Sequence, residues 1–174
     1  MYRTCVVFFI IMNLIGCSSH KLSSPSGDGA FAIPIKLETA SKTFVCRKVT
    51  LHLSEISDAG GSDTPLSVSF FPKKSDSYTF FDGVKIGDYS VDNFRCFPNT
   101  GWIFNSFQEY VDVEAYGRLL SIEANRMTIP DFMFYGKEVQ KRFFISLPFS
   151  SSEAKKNTIE LIKKEQNLDG WTFK

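Results

Sequence analysis

From Ala30 to Phe149 apolar and polar residues alternate with a period of two, and turn-forming residues interrupt the alternation at intervals of roughly ten positions. Such an alternation sends one side of each segment into a core and leaves the other wet. It therefore prescribes short strands stacked in two sheets. In Phe31-Ala32-Ile33-Pro34-Ile35-Lys36-Leu37 the odd positions are apolar, and Pro34, which cannot donate to a ladder, predicts an edge or bulged strand. Across Phe44 to Ile56, Val49, Leu51 and Leu53 face one way and Lys48, Thr50, His52 and Ser54 the other. Leu66 to Phe71 and Tyr78 to Phe81 follow as strands on either side of the turn Pro72-Lys73-Lys74-Ser75-Asp76. Asp82-Gly83 and Gly87-Asp88 bracket a short strand Val84-Lys85-Ile86, after which Tyr89 to Phe97 returns. Glu109 to Tyr116 and Arg118 to Ala124 read as a strand pair broken at Gly117. The expected fold class is mainly β: an antiparallel β-sandwich with one C-terminal α-helix.

The helix is expected over about 150–168, where the period changes from two to that of a helix. Pro148 ends the last long strand, Ser150-x-x-Glu153 forms a capping box, and Ala154, Thr158, Leu161, Ile162 and Leu168 fall on one face. Asn167 and Gly170 stop it, and Trp171 and Phe173 return to pack on the sandwich. Lys155, Lys156, Lys163 and Lys164 read as a solvated face, the alternative being a partner surface. A length of 174 residues suits one core, and 18 Phe can fill it. Disordered and coiled-coil classes do not fit this composition. The 20 Lys+Arg against 19 Asp+Glu leave no basic excess for a nucleic-acid binder.

Residues 1–16 stand apart. Arg3 is the single charged side chain there, followed by the apolar run Cys5-Val6-Val7-Phe8-Phe9-Ile10-Ile11-Met12, which is too short for the roughly 20 residues of a spanning helix. The run ends in Leu14-Ile15-Gly16-Cys17, which resembles the bacterial lipobox at all four positions. The resemblance implies a signal peptide cut after Gly16, a diacylglyceryl group on the Cys17 thiol and usually a further acyl chain, such as palmitate, on its amine. At about 0.8 kcal/mol per buried methylene, two or more chains give lasting attachment where one does not. Loss of residues 1–16 leaves 19 charges of each sign, so the membrane attachment must come from the lipid. Residues 17–29, rich in Ser and Gly, read as a flexible linker holding a domain at 30–174 off the bilayer. Ser18 rather than Asp after the Cys resembles the sorting pattern of outer-membrane lipoproteins, given a Gram-negative host, and a periplasm-facing orientation is expected, surface exposure being the alternative.

With Cys5 removed and Cys17 acylated, Cys46 and Cys96 remain, and two thiols in an exported domain suggest one disulfide stapling two distant strands. Two buried free thiols are the alternative. No CxxC or HxxxH spacing supports a metal site, and no cofactor motif occurs; His20 lies in the linker and His52 in a strand.

Phe81-x2-Val84-x2-Gly87-x-Tyr89-x-Val91 resembles a segment of transthyretin-like (prealbumin-like, carboxypeptidase regulatory-like) sandwich modules, although Ile86 stands where those carry Pro before the Gly. The resemblance implies a tight reversal at Gly87, a Tyr89 ring packed over the sandwich end and, since such modules are mostly non-catalytic, no enzymatic role. Tyr135-Gly136 is similar to the late strand of small envelope lipoproteins of this kind.

A serine hydrolase would need a base, and His52 is the one histidine of the folded part, with no Gly-x-Ser-x-Gly around any serine. Asp112 and Glu114 share one side of a strand, as glycosidase carboxylates can and many surface pairs do. The stretch 97–110 sets Trp102, Phe104, Phe107 and Tyr110 beside Asn, Gln and Thr. Rings supply apolar area and amides fix orientation, which suits a sugar, a small hydrophobe or a protein partner; the alternative is a plug for the sandwich end. Three expectations result: a non-catalytic envelope lipoprotein acting through protein or glycan contact, a carbohydrate- or hydrophobe-binding module near Trp102, and a hydrolase with polar groups converging on His52.

Overall fold

A computed structural model describes residues 21–41, 43–56, 65–99, 109–139 and 142–174. Within them the chain forms β1 (Gly29–Glu38), β2 (Cys46–Glu55), β3 (Leu66–Phe70), β4 (Tyr78–Val84), β5 (Gly87–Pro98), β6 (Val111–Ile122), β7 (Arg126–Thr128), β8 (Phe134–Val139), β9 (Arg142–Ser146), α1 (Ser152–Glu165) and β10 (Thr172–Phe173). One sheet has the order β3-β2-β5-β6 and is antiparallel throughout. The second has the order β10-β7-β1-β8-β9, with β4 also paired to β1. The expected sandwich with a C-terminal helix is thus present, and its second sheet is mixed: β1 runs parallel to β7 and β8, and β10 parallel to β7.

β1 is central, not an edge. It pairs with β4 on one side and with β7 and then β8 on the other. Pro34 is tolerated because of where its nitrogen points. The Ile35 N–H reaches the Ser77 carbonyl on the β4 side, at 2.8 Å, so the nitrogen one residue earlier faces the opposite edge. There the pairing with β7 ends at Thr128 and that with β8 begins at Phe134, so no ladder bond is lost. The expected irregularity lies on the partner: Gly83, at φ +65°, supplies a bulge opposite the Gly29 to Phe31 step.

Alternation gives β1 two buried faces. Phe31, Ile33 and Ile35 enter the core between the sheets, while Ala30 and Ala32 turn outward beneath the helix, where Ile162, Met127, Ile129 and Trp171 cover them. Small residues are what let the helix approach. The inter-sheet core is aromatic, and Phe134 sits at its middle with its ring edge-on to Phe70 at 5.3 Å, Phe94 at 5.7 Å and Phe44 at 6.0 Å. Gly136 is required beside it, since a Cβ there would fall on the Phe44 ring.

Several local expectations shift. Residues 109–124 form no hairpin: β6 runs on through Gly117, whose φ of +69° absorbs extra residues opposite Asp92. Val84 ends β4 and Gly87 begins β5, and these strands belong to different sheets, so Lys85 and Ile86 form no strand but a two-residue crossover in which the chain reverses from one sheet into the other. Tyr89 secures it. Its ring is buried, and its hydroxyl donates to the Lys85 carbonyl at 2.8 Å, while Lys85 Nζ reaches both Glu55 oxygens at 2.8 and 3.0 Å. The helix cap is Ser151, whose hydroxyl accepts from the Ala154 N–H. Ser150 is instead committed to the strand bridge, its N–H on the Asp131 carbonyl and its hydroxyl on that of Pro130.

Cys46 and Cys96 are disulfide-bonded, with Cα atoms 5.3 Å apart and a sequence separation of 50. The strands they join, β2 and β5, are immediate neighbours in the sheet. The linker reading also changes. Residues 21–28 are mostly exposed but held at particular points, with Leu22 in the helix-side core and Ser23 bonded to Asp82.

Two outcomes follow from this packing. Gly136→Ala should destabilise the domain by about 1–3 kcal/mol, because Phe44 has no room to yield, and a thermal melt measures it. Reducing the Cys46–Cys96 bond should cost about 4 kcal/mol by the chain-entropy argument, read from urea unfolding with and without reductant.

Candidate functional site

Three regions concentrate chemistry among the described residues. The first is the outer face of the antiparallel sheet, where alternation turns the polar residues of four strands outward. Thr50 and Ser69 share a hydrogen bond at 2.8 Å, His52 Nδ1 meets Ser67 Oγ at 2.9 Å, and Ser54 donates to Asp92 at 2.6 Å. Polar groups do gather at His52. However, its Nε2 is buried without a hydrogen-bond partner, as is Oδ1 of Asn93, the residue opposite in register. No carboxylate therefore orients the ring as a serine-activating base requires. Asp112 is taken instead by Arg95, whose Nε and Nη2 donate to it at 2.8 and 2.9 Å. That bidentate guanidinium holds the Asp112 carboxyl below its usual range, against partial desolvation.

The second region is the end of this sheet at Pro98 and Val111. Lys48 Nζ lies 5.2 Å from the centre of the Phe97 ring, Phe97 lies 5.8 Å from Tyr110, and the Arg95 guanidinium stacks on Tyr110 at 3.8 Å. Two neighbouring rings are thus flanked by a cation on each side. Tyr110 is the one residue of the expected aromatic group that lies within the described residues; Trp102, Phe104 and Phe107 lie outside them. Tyr110 is 36% exposed, and one face of its ring is already occupied by Arg95.

The third region has no counterpart in the sequence reading. β3 lies at the border of one sheet and β4 in the other, and between them opens a cleft of about 1000 Å³. Val68 and Phe71 line it from the β3 side, Tyr78 and Phe80 from β4, and Asp82 and Glu165 add two carboxylates to the lining. Phe71 is 62% exposed. Burial of the Tyr78 ring, with its hydroxyl donating to Glu165 at 2.8 Å, pushes the phenol up to about 12, so it stays a neutral donor. Alternation marks which side of a strand is wet but not which sheet holds it, and the cleft exists only because the chain changes sheets between β3 and β4.

No group of three or more His, Cys, Asp or Glu side chains gathers as a metal would require, and no helix is long and apolar enough to cross a membrane, among the described residues. The fold and these surfaces define a two-sheet β-sandwich with one C-terminal helix. No protein-family model, curated protein or solved structure matches the chain.

The Arg95–Asp112 pair makes a pH prediction. A depressed carboxyl contributes stability that is present above its unfolded value and is lost as pH falls through the folded one. Arg95→Gln should therefore move the Asp112 titration upward, toward the ordinary carboxylate range, and reduce the loss of stability on acidification that this residue causes. A carboxyl NMR titration of both forms measures the shift.

Proposed function

We propose that the chain is a non-catalytic envelope lipoprotein, anchored through Cys17 and acting by contact with a protein or glycan. The observation that carries the anchoring is Leu14-Ile15-Gly16-Cys17 at the end of a short apolar run that Arg3 precedes. In this reading residues 1–16 are the signal peptide, the acylated Cys17 is the first mature residue, and Ser18 directs the protein to an outer membrane. The sandwich is a transthyretin-like one. Its support is the Phe81-to-Val91 segment, in which Tyr89 packs its ring and caps the crossover through the Lys85 carbonyl.

Contact with a protein is favoured by the cleft between β3 and β4. It combines aromatic side chains with charged ones in its lining, and exposed rings of this kind are where binding energy concentrates in interfaces. A second reading, capture of a carbohydrate or small hydrophobe, draws on the Lys48–Phe97–Tyr110–Arg95 array, which presents rings beside hydrogen-bond donors. A hydrolase is disfavoured because Nδ1 of His52, the nitrogen that a carboxylate orients in a serine-activating base, meets Ser67 instead.

The test is intact mass and fractionation of protein from envelope membranes. The wild type should carry the acyl mass on a chain starting at Cys17 and sediment with membranes, and Cys17→Ala should lose the acyl mass. An unacylated, soluble wild type overturns the reading. Crosslinkers placed at Phe71 and at Tyr110 separate the two contacts: a protein adduct specific to Phe71 supports the cleft, and glycan retention abolished by Tyr110→Ala supports the aromatic end.

A further inference from the structure

The segment between the lipobox and β1 is bonded to the domain along most of its described length. The Leu22 N–H donates to Gln166 Oε1 at 3.1 Å, and the Leu22 side chain, 8% exposed, joins Ala30, Ala32, Ile162 and Trp171 in the helix-side core. The Ser23 N–H and hydroxyl both donate to Asp82 Oδ2, at 2.8 and 2.5 Å, and the Trp171 indole N–H donates to the Ser23 carbonyl at 2.7 Å. The Gly27 N–H donates to Asn125 Oδ1 at 3.0 Å, and the Asn125 N–H to the Asp28 carbonyl at 2.9 Å. Each partner lies far along the chain, so these contacts fasten 22–28 to the finished fold.

This arrangement sets a length. If Cys17 holds the lipid, five peptide units separate it from Leu22, a reach of at most about 18 Å. Were the whole of 17–29 free, the reach would be about 43 Å. A domain of this size is roughly 38 Å across, so the path from pole to equator over its surface is about 30 Å, which the free tether exceeds and the shortened one does not. We infer that residues 22–28 are a docked strap that holds one pole of the domain, the one formed by Asp82, Gln166 and Trp171, against the lipid surface. The inference rests on the lipidation reading above for its membrane half alone. Asp82, which Ser23 holds, also lines the cleft, so the strap reaches one end of it. The Phe97–Tyr110 array sits at the Pro98 end of β5, ten residues from Gly87 and roughly 33 Å along the strand.

Hydrogen exchange and energy transfer test the two halves on the chain purified from membranes. The amides of Leu22, Ser23 and Gly27 should exchange at least about tenfold slower than in an unstructured peptide, whether or not the chain carries lipid. Exchange at the peptide rate overturns the strap. Trp102→Phe leaves Trp171 as the single tryptophan of the two in the chain. In vesicles carrying a dansyl lipid, the acylated protein should show strong transfer from Trp171. A Gly-Ser insertion of about twelve residues between Ser19 and His20, adding roughly 43 Å of reach, should lower that transfer severalfold. Transfer that is weak, or indifferent to the insertion, in protein whose mass includes the acyl chains overturns the membrane-facing pole. Absence of the acyl mass overturns the anchoring and the membrane-facing pole with it, while the exchange result still decides the strap.

Discussion

A strand buried on both faces must satisfy two packing surfaces with one alternation, and β1 meets that condition by sorting its side chains by size. Phe31, Ile33 and Ile35 fill the space between the sheets, and Ala30 and Ala32 leave room for α1. Every layer of the molecule depends on this strand. β4, β7 and β8 pair with it, the helix rests on it, and the antiparallel sheet packs against its larger side chains. Residues of longer side chain at Ala30 or Ala32 would lift the helix and uncover Leu22 and Trp171 together. The helix, the strap and the C-terminal strand are in this sense one unit, joined through two alanines.

The chemistry of the surface follows from the same alternation. In the antiparallel sheet the inward residues Val49, Leu51 and Leu53 are fully buried, and the outward ones form the hydroxyl, imidazole and guanidinium pairs on the far side. These pairs mostly satisfy one another. The exceptions, His52 Nε2 and Asn93 Oδ1, lie on residues opposite one another in the β2–β5 ladder and mark a place on that face where an added donor or acceptor would be welcome. The cleft differs in kind. It arises from topology, at the seam where the chain leaves one sheet for the other.

What was legible in the sequence was whatever a local period or a residue count determines. Val49, Leu51 and Leu53 gave the inward face of β2, the last two cysteines gave the disulfide, and the change of period near Ser150 gave the helix to within two residues at its start. Pairing partners were not legible. Pro34 suggested an edge, because nothing in the neighbouring residues reports that β7 stops and β8 starts on either side of it. Gly117 suggested a turn, and a left-handed glycine serves a bulge inside a continuous strand equally well. Of the aromatic group expected near Trp102, only Tyr110 is placed, stacked under Arg95. The Ser-rich stretch before β1 read as solvated because its composition is polar, yet one leucine and a few backbone groups suffice to dock it.

The parallel pairing of β1 has a consequence for how the protein is made. Ile35 pairs with Phe134, about a hundred residues later, and Ala30 with Met127. A chain emerging N-terminus first therefore delivers its central strand early and must wait for most of the remainder before that strand has its neighbours. Contacts of such long sequence separation close slowly, and the waiting strand offers Phe31, Ile33 and Ile35 to any other chain nearby. β4 is the exception: it arrives within about fifty residues and pairs with β1 directly. In a growing chain it would act as a temporary cover, shielding one edge of the strand until β7 and β8 appear to close the other.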